Sequence, residues 1–266
     1  MSDIQNFMNK DIIFGETKKK SDMISVCSGA YGTGKTFISL TLAHAFSILK
    51  KKTLFFDADW GKYNISSYLG IKEQKNLSDV AYRNLTLNQI ISHCEKTGFD
   101  ILSGNQEYMP FSSLPEGRLQ LLFDDLSIIS KNYDKVILDI SSEKQKYSNL
   151  IAGASSTNIL IISPNPQRLV EGYNFIKTIK EQYPTNTLYI IINQVNSERE
   201  GNMIFETLKK TASRHLEYEP KLIGIVRNDT RIRDCQKNQA LLLSRYPTSD
   251  AAVDIFNIAK KLVYEE

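Results

Sequence analysis

Short uninterrupted apolar runs alternate along the chain with longer stretches in which apolar residues recur at every third or fourth position. The run MISVC passes through a glycine-rich loop into FISLTLAHAFSILKKK, whose apolar residues fall at helical spacing, so strand, loop and helix follow one another. TLFFDAD reads as a second strand, FDILSG as another, RLQLLFDDLSIIS as a helix and DKVILDI again as a strand. The second half adds strands at NILIIS, TLYIIIN and KLIGIV, separated by helical segments around Leu169–Gln182 and Met203–Glu217. Apolar strands of this kind are buried on both faces by helices, as in parallel sheets. The rhythm predicts an α/β fold: a doubly wound, mostly parallel sheet of about seven or eight strands with helices on both faces.

No repeat, low-complexity tract or Pro/Ser-rich linker interrupts this pattern after residue 21. Residues 22–266 are therefore expected to form a single domain, preceded by a segment 1–21 that docks on a partner or is flexible. Within that segment Ile4, Phe7, Met8 and Ile12 are spaced for one face of a short helix. At the other end Ala252, Ile255, Phe256, Ala259 and Leu262 line one helical face, which reads as core packing rather than a membrane foot.

Composition narrows the class without changing it. With 41% hydrophobic and 24% charged residues in 266, the protein is neither disordered nor fibrous, and it is long enough for a sizeable core. A net charge of +3, from 33 basic and 30 acidic side chains, is too balanced to imply DNA binding. Lys50-Lys51-Lys52 and the set Arg227, Arg231, Arg233 and Lys237 read as solvated helix ends. Cys27, Cys94 and Cys235 are odd in number and far apart, which fits buried thiols in a reducing cytoplasm better than a disulfide framework or metal knuckle. His44, His93 and His215 lack metal-ligand spacing. No run of 18 apolar residues occurs and the first residues do not resemble a secretion signal, so a cytoplasmic protein without a transmembrane segment is expected.

Gly29-Ala30-Tyr31-Gly32-Thr33-Gly34-Lys35-Thr36 satisfies G-x-x-x-x-G-K-[ST] and falls between a strand and a helix, where a phosphate-cradling loop has to lie. Glycines let backbone N–H groups wrap closely, with the positive end of the following helix behind them. Gly29, Gly32, Thr33, Gly34, Lys35, Thr36 and Phe37 are the candidate phosphate-binding residues; Lys35 would reach the β/γ-phosphates and Thr36 would ligate Mg²⁺. The strand TLFFDAD ends in Asp57 and Asp59, followed by Gly61 and Asn64, at the sheet edge where ligands of open α/β folds bind. A carboxylate there can orient water or act on it as base, or cap a helix.

With these two motifs the protein resembles the MinD/ParA family of deviant-Walker ATPases, and within it the FlhG branch of flagellar regulators. The resemblance covers about residues 22–264 and rests on SGAYGTGKT, FDADWGKYN, the strand VILDI with Asp139, and INQVNSEREGNMIFETLKKTASRHLEYEPKLIGIV followed by RDCQKNQALLLSRYPTSDAA. It implies ATP/ADP and Mg²⁺ as cofactors. Asp59 would position the attacking water beside Lys35, Thr36, Asp57 and Asp139 would serve the metal, and Asn193 would lie near the adenine. It also implies a nucleotide-dependent homodimer that recruits partners: an FlhF-like GTPase, or flagellar switch or transcription components, placed at a cell pole or the inner face of the membrane through that partner.

The sequence departs from the family in three places: the phosphate loop, the stretch after Asp139 and the end of the strand KLIGIV. Ala30 stands where a signature lysine reaches across the dimer, and Tyr31 where a glycine is expected. Asp139 continues as Ile140-Ser141-Ser142-Glu143 without the γ-phosphate-sensing glycine. Arg227 replaces a proline beside the base. Loss of a cation facing developing phosphate charge predicts intact nucleotide binding with a weakened dimer and slow or absent hydrolysis.

Overall fold

The computed structural model describes residues 22–58, 65–71, 75–83, 85–104, 116–140 and 145–264. β1 (Asp22–Cys27) leads through the loop to α1 (Lys35–Ile48), and β2 (Thr53–Ala58) follows. Three short helices come next, α2 (Ile65–Leu69), α3 (Leu77–Arg83) and α4 (Leu87–Ile90), then β3 (Ser92–Cys94) and β4 (Phe99–Leu102). From there helix and strand alternate: α5 (Glu116–Ser130), β5 (Lys135–Ile140), α6 (Gln145–Ala154), β6 (Thr157–Ile162), α7 (Pro166–Gln182), β7 (Thr187–Val195), α8 (Glu198–Leu216) and β8 (Lys221–Arg227). α9 (Arg231–Lys237), α10 (Leu242–Arg245) and α11 (Asp250–Tyr264) complete the order.

Among the described residues the strands form one eight-stranded sheet, ordered β3-β4-β2-β5-β1-β6-β7-β8. Its neighbours are parallel except the antiparallel pair β3–β4. This is the expected doubly wound sheet, with β1 between β5 and β6 at its centre. Strand alternation distributes two cores. Met23, Cys27, Leu54, Phe56, Val136, Leu138 and Ile140 face one side with residues of α5 to α8. Ile24, Val26, Phe55 and Ile137 face the other, with residues of α1 and α11.

The C-terminal stripe behaves as core. Ala252, Ile255, Ala259 and Leu262 of α11 are buried, Phe256 is partly buried, and the helix packs on β8 and α1. The three cysteines are buried thiols. Burial pushes the Cys27 thiol up to about 12, so it stays protonated. Among the described residues no helix is long and apolar enough to cross a membrane.

Candidate functional site

The loop's shape follows from where its glycines stand. Gly32 and Gly34 have φ of 73° and 85°, the left-handed region that β-carbons disfavour, and Gly34 hands directly over to α1. Gly29 is needed for a different reason: a β-carbon there would lie 2.5 Å from the carbonyl carbon and oxygen of Glu171, so the loop's first residue touches the backbone of α7. On the opposite side, Asn193 Nδ2 donates to Thr33 O at 2.7 Å and Gln194 Nε2 to Gly32 O at 3.2 Å. Adjacent strand residues normally point to opposite faces. Gln194 lies at φ 64° within an irregularity of the β7–β8 pairing, which lets two successive side chains brace the same loop.

The acidic part of the site follows from the same alternation. Ile137 faces α1, so Asp139, two residues on, faces α1 as well; Phe55 and Asp57 of β2 do likewise. The strand register places Asp57 directly opposite Asp139, and both are fully buried. Asp139 Oδ1 accepts from Lys35 Nζ at 2.7 Å and from Ser39 Oγ at 2.9 Å, Lys35 and Ser39 being one helical turn apart. Asp57 Oδ2 accepts from Ile65 N at 2.8 Å. Lys35 Nζ lies 3.4 Å from Thr36 Oγ1.

Two buried oxygens, Asp139 Oδ2 and Thr33 Oγ1, have no hydrogen-bond partner among the described residues. Buried polar atoms are rarely left so without a ligand or water to satisfy them. Hard oxygens on Thr36, Asp57 and Asp139 suit Mg²⁺, which takes few protein carboxylates and completes its shell with water and phosphate. The residues present therefore fit a magnesium-bound nucleotide.

Other expected residues fall less directly. Phe37 is buried in the α1-side core, so only its backbone is available to a ligand. Asn193 is placed against the phosphate loop itself. Arg227 is held by Asp254, with contacts of 2.9 and 2.8 Å, and by Asp250 at 2.8 Å; the Asp254 hydrogen bond raises its already high pKa. Arg231 lies 3.7 Å from Asp229, so part of the basic set is locally neutralised, in line with solvated helix ends. Asp59, Gly61 and Asn64, the segment 1–21 and the stretch after Ile140 lie outside the described residues. No sequence motif singles out Ser39, Gln194 or Arg168. Ser39 is readable as the next turn on the Lys35 face, whereas no pattern announces the irregularity at Gln194.

The family model of the CobQ/CobB/MinD/ParA nucleotide binding domain matches residues 24–242, a span that includes the phosphate loop and the two opposed strand-end carboxylates. The chain belongs to that family. Similar proteins include the antiactivator FleN of Pseudomonas aeruginosa, 25% identical over 90% of this chain and 85% of that protein. The flagellum site-determining protein YlxH of Helicobacter pylori is 26% identical over 99% of this chain and 88% of its own length. Among solved structures, the septum site-determining protein MinD from Pyrococcus horikoshii, complexed with Mg-ADP, superposes with a TM-score of 0.73 at 20% identity. That match spans 91% of this chain and 96% of the other. Membership makes this a nucleotide-binding domain with the MinD/ParA fold.

Proposed function

We propose that the protein is an ATP-binding regulatory switch of the FlhG type, controlling the number or placement of flagella through nucleotide-dependent partner binding, with weak or absent hydrolysis. The observation that carries the nucleotide part is the buried Asp139: one oxygen on Lys35 and Ser39, the other without a partner among the described residues. Bound Mg-ATP would draw Lys35 toward phosphate, place metal beside Asp139, Asp57 and Thr36, and satisfy Thr33 and the loop N–H groups. The Mg-ADP complex of the Pyrococcus protein supports these cofactors. The flagellum site-determining protein YlxH, matching 99% of this chain, supports the flagellar role, and the antiactivator FleN, matching 90%, supports a regulatory one. A cytoplasmic protein, brought to a pole or the membrane's inner face by its partner, fits this reading.

Weak turnover rests on Ala30. Its side chain is buried and uncharged, and exposed Tyr31 follows it, so the loop offers no cation to a second copy. Without such a charge the transition state loses electrostatic stabilisation, a term worth orders of magnitude in phosphoryl transfer. Titration with Mg-ATP and light scattering after size exclusion, with and without a non-hydrolysable analogue, test the reading on wild type, Lys35→Ala and Ala30→Lys. Micromolar binding lost in Lys35→Ala, a change of mass with analogue, and faster phosphate release from Ala30→Lys are expected. Rapid wild-type hydrolysis abolished by Lys35→Ala overturns the weak-turnover claim. Absence of nucleotide binding overturns the switch.

A further inference from the structure

Close contact between Gly29 and the backbone at Glu171 and Gly172 fixes α7 against the phosphate loop. Gly172 itself lies tight on β6, where a β-carbon would come within 2.9 Å of Ile162 Cδ1. Residues four apart share a helix face, and four before Gly172 is Arg168. Its guanidinium lies over the middle of the loop: a β-carbon on Gly32 would stand 2.9 Å from Arg168 Nη2.

Three further observations show how that cation is held. α7 begins at Pro166 behind Asn165, whose side chain accepts from Gln167 N and Arg168 N, so the helical turn carrying Arg168 is capped. Arg168 Nη1 donates to Ser163 Oγ at 2.8 Å, and Ser163 is fully buried. Among the described residues no carboxylate pairs with Arg168, unlike Lys35, Arg227 and Arg245. Among the described residues the guanidinium is thus tethered by one nitrogen, and its remaining donors meet no carboxylate beside the phosphate cradle. Thr33 Oγ1, buried and without a partner among the described residues, belongs to the next residue of that same loop.

We propose that Arg168 is a specificity-determining residue for the bound nucleotide, supplying from α7 of the same subunit the cation that Ala30 lacks and favouring the triphosphate over the diphosphate. The proposal rests on the nucleotide-switch reading above. Lys35 would reach the β/γ-phosphates from one end of the loop, and a guanidinium over Gly32 would add a second cation toward the terminal phosphate from the middle of it. Planar Arg donors match phosphate oxygens well. Because the charge comes from the same subunit, triphosphate preference requires no second copy.

Calorimetric titration of the full-length protein with Mg-bound non-hydrolysable ATP and with Mg-ADP tests this on wild type, Arg168→Gln, Arg168→Lys, Ser163→Ala and Lys35→Ala. Arg168→Gln keeps a donor for Ser163 while removing charge. It is expected to weaken triphosphate binding roughly ten- to hundredfold and diphosphate binding less than about threefold, with Arg168→Lys recovering part of the loss. Ser163→Ala, which removes the tether but keeps the charge, should lower the ratio of the two affinities by less than Arg168→Gln does. Thermal melting of each variant separates misfolding, which lowers both affinities together, from loss of discrimination. Equal affinities of wild type and Arg168→Gln, or an equal loss for both nucleotides, overturn the proposal while Lys35→Ala still reports on the underlying site. Wild type that binds neither nucleotide overturns both readings.

Discussion

Lys35 and Asp139 meet 2.7 Å apart in the interior, the lysine from the first turn of α1 and the aspartate from the strand beside the phosphate loop. Their side chains are 6% and 0% exposed, so neither charge is screened by water. The pair holds the phosphate lysine and a candidate metal acid on each other until a ligand offers both something better.

The first prediction concerns that pair. Asp139→Asn keeps the shape but removes the buried carboxylate facing Lys35 and Ser39. It should lower the stability of the nucleotide-free protein by on the order of 3 kcal/mol, because breaking a buried pair from one side leaves charge poorly compensated. The same change should weaken the dependence of nucleotide binding on Mg²⁺, Thr36 and Asp57 remaining as candidate donors. Urea unfolding without ligand measures the first effect, and titration with and without Mg²⁺ the second. A variant of unchanged stability and unchanged Mg²⁺ dependence refutes both roles for Asp139.

Gly29→Ala tests whether the loop is pressed on α7. The added β-carbon would overlap the Glu171 carbonyl at 2.5 Å and Gly172 N at 2.8 Å, all backbone atoms of a helix that cannot swing aside as a flexible side group does. A loss of about 1–3 kcal/mol is expected, as for overpacking elsewhere, together with weaker nucleotide binding. Thermal unfolding checks it; an unchanged melting temperature means that the contact is not tight in solution.

What can be read from sequence and what cannot divide along physical lines. The strands beside β1 are continuous apolar runs because helices cover both their faces, and DKVILDI or NILIIS announces itself for that reason. β3 does not: Ser92-His93-Cys94 is three residues at the sheet edge with His93 exposed, held by antiparallel pairing to β4 and a 2.7 Å contact from His93 Nδ1 to Asp100. α9 and α10 span seven and four residues, too short for periodicity to show. At the site, Lys35 and Thr36 are legible because a consecutive motif encodes them. Arg168 and Gln194 act through tertiary proximity, 136 and 162 positions from Gly32 in sequence, and nothing local marks them.

Asn193→Ala should loosen the loop. It removes the donor to the Thr33 carbonyl, and a buried carbonyl left unpaired costs about 1–3 kcal/mol. Asn193→Asp should be worse for nucleotide, since an acceptor then faces the Thr33 carbonyl and a negative charge stands beside the phosphate cradle. The expected order of Mg-ATP affinity is wild type, then Asn193→Ala, then Asn193→Asp. If Asn193 instead acts only on the base, replacing ATP by inorganic triphosphate should erase the difference between the variants.

His44, on α1, gives the fold a pH dependence of its own. It is buried, its Nδ1 has no hydrogen-bond partner among the described residues, and burial lowers its pKa from 6.5 to about 4, so the folded protein keeps the ring neutral. In the unfolded protein the ring takes up a proton near pH 6.5, so in the window between the two values the unfolded state binds more protons and stability rises with pH. The contribution is therefore complete above 6.5, declines as pH falls, and is exhausted once pH passes below about 4. Its size is on the order of 3 kcal/mol across that window. His44→Gln, which cannot titrate, removes this term while leaving the carboxylates in place. Urea midpoints measured from pH 7 down to pH 4 should fall less steeply for His44→Gln than for wild type. Parallel curves would mean that His44 charges in the folded protein as readily as in the unfolded one.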